Sequence, residues 1–207
     1  MKKQTRTLLK ELEKTRTKFW NISPEVGLFL HELIRTNPRI RRILEIGTSN
    51  GVSGIWMASA FPTSPPLTPD IGSCSQCLPK APPTSGHQLY TIESHKKLRY
   101  HLATENFRKA GLTNKITQIL GHAPEDIPKT PKTFDLIFLD ATKYEHESYL
   151  TTLLPRTRKG SIIITDNAVS HKKELAPYEK TIRKNPKFQT SLLPIGTGLL
   201  ISIRTAN

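Results

Sequence analysis

Strand-length apolar runs alternate with helix-length segments along most of this chain of 207 residues. The strand-like runs are 42–47, 88–93, 115–120, 134–140, 161–166, 188–193 and 199–204, and the helical patterns between them are 52–61, 95–110, 144–154 and 171–184. This alternation predicts right-handed βαβ units, and hence an α/β fold with a mostly parallel seven-stranded sheet covered by helices on both faces. The last two runs are joined by a short turn without a helix, which predicts an antiparallel hairpin at one edge of the sheet.

Two segments depart from the alternation. Residues 1–20 are rich in lysine and arginine and space their leucines on one side, which predicts a basic amphipathic helix. Ser23 and Pro24 then mark the start of a second helix, which ends before Asn37. Residues 62–87 are rich in proline, serine and threonine and show no periodicity, so we expect a flexible insertion within a single domain spanning 1–207. Because it joins a crossover helix to the following strand, the insertion should leave the sheet at the amino ends of its strands.

Cys74 and Cys77 form a C-x-x-C pair inside this insertion. The pair is open to three interpretations: half of a zinc site completed by His87 or by another chain, a redox pair, or two incidental thiols. The spacing does not occur a second time, which favours incidental thiols. Two cysteines are also too few for a disulfide framework.

The chain is strongly basic, with 31 Lys and Arg against 17 Asp and Glu, a net charge of +14. This excess favours a polyanionic partner, either nucleic acid or an anionic membrane surface. No apolar run approaches the roughly 20 residues of a membrane span, so none is expected. The charged first residues contain no apolar secretion signal, which makes a cytoplasmic location the expectation.

Chemistry-bearing residues gather at the carboxyl ends of the predicted strands, where open α/β sheets bind their ligands. They are Glu45, Gly47 and Gly51 after the first strand, Glu93 at the end of the second, Asp140 and Lys143 after the fourth, and Asp166 with Asn167 after the fifth. The glycine spacing is E-x-G-x-x-x-G, which differs from the G-x-G-x-x-G of dinucleotide folds. Glu93 suits a carboxylate that accepts both hydroxyls of a ribose, with a solvated strand end as the alternative.

Asp140, Asp166 and Asn167 offer three oxygen ligands from neighbouring strand ends. Oxygen donors without histidine or cysteine suit Mg²⁺, Mn²⁺ or Ca²⁺. The alternative is that the Asp-Asn pair only caps a turn. Lys143 follows Asp140 by three residues and can serve as a general base at a cation-bound oxygen, although position alone favours a surface lysine.

Together these motifs resemble the cation-dependent O-methyltransferases of the catechol and caffeoyl-coenzyme A type. The resemblance is carried by LEIGTSNGVS at 44–53, YTIE at 90–93, FDLIFLDATKY at 134–144, KGSIIITDN at 159–167 and PIGTGL at 194–199. It implies a Rossmann-like class I methyltransferase fold with S-adenosylmethionine as cofactor. The implied cofactor-binding residues are Glu45, Gly47, Thr48, Gly51, Ser53, Glu93, His122, Ala123 and Asp140; the implied metal ligands are Asp140, Asp166 and Asn167; the implied catalytic residues are Lys143 and Asp140.

Three positions depart from the family's pattern: Ser49 and Ser161 stand where glycines are usual, and His122 stands where an acid is usual. The expected function is methyl transfer from S-adenosylmethionine to a hydroxyl of a small catechol-like acceptor, with help from a divalent cation, by a protein expected to be a homodimer. The charge leaves a tRNA hydroxyuridine O-methyltransferase open, and a non-catalytic nucleic-acid-binding protein with the same fold is a further alternative. A dehydrogenase that uses NAD would also employ Glu93, but the glycine spacing fits it poorly.

Overall fold

Seven strands form one sheet in the order β3-β2-β1-β4-β5-β7-β6 in the computed structural model, which describes residues 1–62, 86–129 and 131–207. The strands are β1 (Arg42–Ile46), β2 (Gln88–Glu93), β3 (Ile116–Leu120), β4 (Leu136–Leu139), β5 (Ile162–Thr165), β6 (Phe188–Leu193) and β7 (Leu199–Arg204). The helices are α1 (Lys3–Glu13), α2 (Arg16–Phe19), α3 (Pro24–Thr36), α4 (Val52–Ser59), α5 (Arg99–Ala110), α6 (His146–Leu153) and α7 (Lys172–Lys184).

The sheet is parallel from β3 through β5 and antiparallel at its other edge. β1 pairs in parallel with β2 and β4, while β7 pairs antiparallel with both β5 and β6. The predicted α/β fold and its terminal hairpin are therefore confirmed. The chain order reverses between β1 and β4, and the carboxyl ends of these two strands form the crevice in which such sheets bind ligands.

Continuous apolar runs form the central strands because helices cover both faces of the sheet. Every residue of β4 and β5 is buried. α1, α3, α4 and α5 contribute to the core on one face, and α6 and α7 contribute to the core on the other. Burial on both faces requires an apolar side chain at nearly every position, and this is why these strands do not alternate with polar residues.

The basic N-terminal segment is helical in two pieces and not in one. α1 ends at Glu13, and Thr15 interrupts the helix by donating its side-chain hydroxyl to the carbonyl of Leu12 at 2.8 Å. A hydroxyl that bonds to the preceding turn competes with the helical backbone pattern. α2 then ends where Trp20 adopts a left-handed conformation, with φ of 52°. This turn directs the chain toward the carboxyl ends of the strands.

The two ends of the predicted insertion lie side by side. The rings of Phe61 and His87 are 5.3 Å apart, and Lys115 donates to the carbonyl of Phe61 at 3.0 Å. His87 directly precedes β2, so the insertion starts and ends at the amino end of this strand, as expected. Cys74, Cys77 and the rest of 63–85 lie outside the described residues. Within the described part of the chain, no helix combines the length and apolarity that crossing a bilayer requires.

Candidate active site

A cavity of about 460 Å³ lies at the carboxyl ends of the central strands. Five of the predicted site residues line it: Gly47, Glu93, Asp140, Lys143 and Asn167. The sequence therefore identified the strand ends that form its walls. Ser49, one of the three departures from the family's pattern, lines it as well. The cavity is also lined by residues that the sequence did not single out, namely Phe19, Trp20, Ser94, Arg99, Ala141, Thr142 and His171.

The turn after β1 requires its first glycine. Gly47 has φ of +101°, and a Cβ atom at this position would lie 2.2 Å from the carbonyl oxygen of Asp140. Both the backbone conformation and the space therefore exclude a side chain. Ser49, which stands where a glycine is usual in the resembled family, also adopts a left-handed conformation, with φ of 50°. Its hydroxyl donates to the carbonyl of Phe19 at 2.7 Å and so attaches the N-terminal segment to the turn.

Glu93 is held at the cavity wall by two backbone donors. Its Oε2 accepts the N–H of Ser49 at 2.7 Å, and its Oε1 accepts the N–H of His95 at 2.8 Å. Each carboxylate oxygen has a second acceptor position. The side chain is thus oriented in advance to receive two donors, such as the two hydroxyls of a ribose.

Glu45 lies beneath the turn, without exposure to solvent. Its two carboxylate oxygens accept the hydroxyls of Ser53 and Thr91, and Thr91 contacts the hydroxyl of Thr48 at 2.5 Å. Burial raises the pKa of Glu45 to about 8, although the two hydroxyl donors act in the opposite direction. The cavity lining does not include Glu45, Thr48, Gly51 or Ser53. Their role in cofactor binding stays a prediction, and from this position they would act through the turn that they support.

Asp140, Asp166 and Asn167 are brought together as predicted, although Asp166 lies behind the cavity wall. Lys143 donates from Nζ to Asp140 Oδ1 at 2.8 Å. Asp166 Oδ1 accepts the Asn167 N–H at 2.7 Å and the Thr197 hydroxyl at 2.8 Å. Burial raises the pKa of Asp140 to about 6; the Lys143 ammonium lowers it, and the charge of nearby Asp166 raises it. Burial likewise raises the pKa of Asp166.

The chemistry of this donor set fits a divalent cation. Hydrogen bonds occupy Oδ1 of both aspartates and Nδ2 of Asn167, which donates to Thr197 at 3.0 Å. Asp140 Oδ2, Asp166 Oδ2 and Asn167 Oδ1 receive no hydrogen bond from any residue within 1–62, 86–129 or 131–207. This set consists of two carboxylates and one amide, and among the described residues no three His, Cys, Asp or Glu side chains are arranged to hold a metal ion by themselves. Two repelling carboxylates with a neutral oxygen match the ligands that Mg²⁺ prefers.

His122 and Ala123 follow β3 and lie outside the cavity wall. The ring of His122 contacts Glu125 at 3.5 Å and Glu145 at 3.3 Å, while Ala123 is buried. His122 therefore connects the loop after β3 with the segment that carries Lys143. Neither residue is placed against the cavity, and their contact with a cofactor stays a prediction.

Trp20 and Arg99 form a part of the cavity mouth that sequence reasoning missed. Trp20 is 73% exposed, and the guanidinium of Arg99 lies 4.9 Å from the centre of its ring. The two residues are far apart in the chain and meet because Ser49 holds the N-terminal segment over the turn. The only signal in the sequence is the aromatic pair Phe19 and Trp20 just before the start of α3.

Comparison with known proteins agrees with this geometry. A family model described as "Methyltransferase domain" matches residues 44–168, from β1 to the residue after Asn167. The catechol O-methyltransferase of Niastella koreensis is 30% identical over 159 residues, covering 75% of this chain and 61% of that protein. That of Mycobacterium tuberculosis is 28% identical over 149 residues, covering 72% and 57%.

The chain thus spans about three fifths of the length of these two relatives. The crystal structure of an O-methyltransferase from Bacillus cereus in complex with SAH has a TM-score of 0.75 to this chain at 22% identity, with 96% of this chain and 91% of that one covered. This likeness supports the fold, a Rossmann-like class I methyltransferase. Because the family model also covers more than half of the sequence, the chain belongs to the methyltransferase domain family.

Proposed function

We propose that this protein transfers the methyl group of S-adenosylmethionine to a hydroxyl of a small catechol-like acceptor, and that a divalent cation assists the transfer. The observation that carries the proposal is the composition of the cavity. Glu93 and Gly47 of the glycine turn line the same cavity as Asp140, Lys143 and Asn167. Residues suited to hold a cofactor and residues suited to activate an oxygen therefore face one space of about 460 Å³.

The glycine turn and Glu93 suit a nucleoside cofactor. Glu93 is oriented by the N–H groups of Ser49 and His95 and can accept the two ribose hydroxyls. The bare backbone at Gly47 allows the cofactor to approach β1 closely. S-adenosylmethionine carries no phosphate, so the turn would serve close packing and not anion binding.

Asp140, Asp166 and Asn167 would hold the cation, which we propose to be Mg²⁺, with Mn²⁺ or Ca²⁺ as alternatives. When bound, such a cation lowers the pKa of a hydroxyl and fixes its orientation. Thr197 supports this group of ligands, because it donates to Asp166 and accepts from Asn167. The side chain of Asn167 is thereby kept beside Asp166.

Lys143 is the proposed base. Its Nζ lies 2.8 Å from Asp140 Oδ1 and lines the cavity, so a neutral amine there can take the proton of the acceptor hydroxyl. Transfer would form the bond from the acceptor oxygen to the methyl carbon and break the bond from that carbon to sulfur, which would leave a neutral thioether. The cavity contributes chiefly by aligning oxygen, carbon and sulfur, since orientation alone supplies a large share of such rate enhancements.

The test is transfer of a labelled methyl group from S-adenosylmethionine to catechol, with Mg²⁺ and with a chelator. We expect transfer with Mg²⁺ only, and a loss of at least a hundredfold in kcat for Asp166→Ala and for Lys143→Met. Glu174→Ala, an exposed acid on α7, is the matched control and should keep full activity. Transfer that is insensitive to chelator, or full activity of Asp166→Ala, would refute the proposed role of the cation.

The cavity mouth favours one second candidate, a tRNA hydroxyuridine O-methyltransferase. An exposed indole beside an arginine can stack on a base and attract phosphate, and Trp20 with Arg99 provides this pair. The same assay with tRNA lacking the modification separates the two acceptors. No transfer to either acceptor under any condition would favour the non-catalytic nucleic-acid-binding alternative.

The homodimer and the cytoplasmic location stay proposals. Light scattering after size exclusion measures the mass of the particle in solution. A mass of one chain at micromolar concentration would contradict the dimer.

A further inference from the structure

A second concave surface lies at the amino ends of the strands, at the opposite end of the sheet from the cavity. We call it the basal cleft; its volume is about 730 Å³. One wall is the segment that leads from α3 into β1, and the other is the segment that precedes β5. Arginine and lysine dominate the lining, which includes Arg39, Arg41, Arg42, Arg158 and Lys159.

The positive charge of the basal cleft is largely uncompensated. Asp135 is the one acid among its lining residues. Arg158 forms an ion pair with Asp135 at 2.6 Å. Within the described part of the chain, the side chains of Arg39, Arg41, Arg42 and Lys159 form no ion pair. Five cations therefore face one carboxylate.

Asp135 holds the two walls in a fixed arrangement. Its Oδ2 accepts the backbone N–H groups of Arg41 and Arg42, each at 2.9 Å, and its Oδ1 accepts from the guanidinium of Arg158. The carboxylate is 9% exposed and is saturated by these donors. The side chains of Arg41 and Arg42 are exposed and free to bind, because only their backbone groups serve the fold.

The spacing of the walls indicates a ligand with several phosphates. β1 and β5 are separated by one strand, β4, so their amino ends lie about 10 Å apart. A single phosphate reaches one wall, whereas a chain of phosphates can reach both. The cleft also exposes an apolar side chain, Ile203, which is 42% accessible and can contact a sugar or base.

We propose that the basal cleft binds the sugar-phosphate backbone of RNA. Guanidinium groups pair with phosphates in a bidentate manner, and RNA supplies phosphates in series. An anionic membrane is a flat surface and fits a concave cleft with two raised walls less well. The inference goes beyond the proposed methyl transfer and does not depend on it, because no cavity residue is involved.

The test measures binding of a fluorescein-labelled single-stranded RNA by anisotropy over a range of salt concentrations. The variant carries Arg41→Gln, Arg42→Gln and Lys159→Gln; the matched control carries Lys173→Gln, Lys180→Gln and Lys184→Gln, three exposed lysines of α7. Both lose the same charge. We expect the cleft variant to bind at least about tenfold more weakly and to show a salt dependence shallower by about 2 in log–log slope, while the control stays within about twofold of wild type.

Several results would overturn the proposal. One is a wild-type protein that binds no RNA. Another is a control variant that loses as much affinity as the cleft variant, which would indicate diffuse charge. Inorganic phosphate that displaces RNA at equal phosphate concentration would indicate a small-anion site. If the cleft variant lost binding to phosphatidylserine vesicles but kept its RNA binding, the ligand of the basal cleft would be an anionic membrane. Loss of RNA binding in Arg99→Gln alone would place the RNA at the cavity mouth.

Methyl transfer to catechol is measured on the same preparations. The cleft variant should retain wild-type kcat and KM, which also shows that it is folded. If wild type transfers no methyl group but RNA binding depends on the cleft, the proposed function fails and this inference stands. If methyl transfer is normal and RNA binding is absent, the proposed function stands and this inference fails.

Discussion

Replacing Glu45 by glutamine should make the stability of the protein less dependent on pH between about 4.5 and 8. In the folded protein the pKa of Glu45 is about 8 because the carboxyl is fully buried, whereas its ordinary value is 4.5. Between these two values the folded protein retains a proton that the unfolded chain releases. The free energy of unfolding therefore falls as pH rises through this window, by about 1.4 kcal/mol for each pH unit.

The loss over the whole window is about 5 kcal/mol, and the free energy of unfolding levels off above pH 8. Glutamine reproduces the protonated form. Its carbonyl accepts the hydroxyl of Ser53, and its amide donates to Thr91, whose own proton can turn toward Thr48. The variant should match wild type at pH 4.5 and exceed it by several kcal/mol at pH 8.

Urea unfolding at a series of pH values measures this difference. Titrating groups that do not interact with Glu45 cancel in the comparison because they are common to both proteins. Asp140 and Glu93 are the exceptions, since their charges act on Glu45. Glu174→Gln removes an exposed carboxylate of α7; it is the control and should change the free energy of unfolding far less than Glu45→Gln does. A difference between Glu45→Gln and wild type that is constant with pH, or a wild type that is the more stable protein at pH 8, would refute the reasoning.

Two further substitutions test the packing of the two ends of the sheet. Gly47→Ala should destabilise the protein by more than about 2 kcal/mol, since φ is +101° and the new Cβ would meet the carbonyl oxygen of Asp140 at 2.2 Å. Gly160→Ala, with φ of +90° and open space, should cost only about 1 kcal/mol, and equal melting temperatures for the two would contradict the steric argument. Asp135→Ala should cost about 2 kcal/mol in urea unfolding, because two backbone N–H groups lose their acceptor. A loss no larger than that of Glu174→Ala would contradict it.

The sheet was predictable because its signal is local. Runs such as those of β2, β6 and β7 begin and end where the sequence indicated, since turn residues bound them. β4 and β5 are shorter than expected: Phe134 and Ser161 precede the ladder, and Asp140 and Asp166 follow it. Apolar character does not reveal where the hydrogen bonding between strands stops. A buried residue just beyond a strand has the same apolar character as a residue within it.

The interruption at Thr15 shows a different limit. The leucine spacing of the first twenty residues indicates one amphipathic face, and this face is indeed buried through Leu8 and Leu9. Nothing in that spacing marks where the helix breaks. Threonine hydroxyls also bond to the preceding turn within unbroken helices, so the presence of Thr15 does not by itself reveal the break.

The same distinction explains which half of the cavity was foreseen. Parallel strands end at one edge of their sheet, so side chains at 93, 140 and 167 must converge wherever the strands pair in register, and the sequence is sufficient to predict this. No such rule predicts which residues meet at the cavity mouth. Trp20 meets Arg99 only because Ser49 bonds to the carbonyl of Phe19 and Trp20 accepts a left-handed conformation. The topology of the sheet thus determines the positions of the residues proposed to bind the cofactor and the cation. The positions of Trp20 and Arg99, which would contact the acceptor, depend on one long-range hydrogen bond.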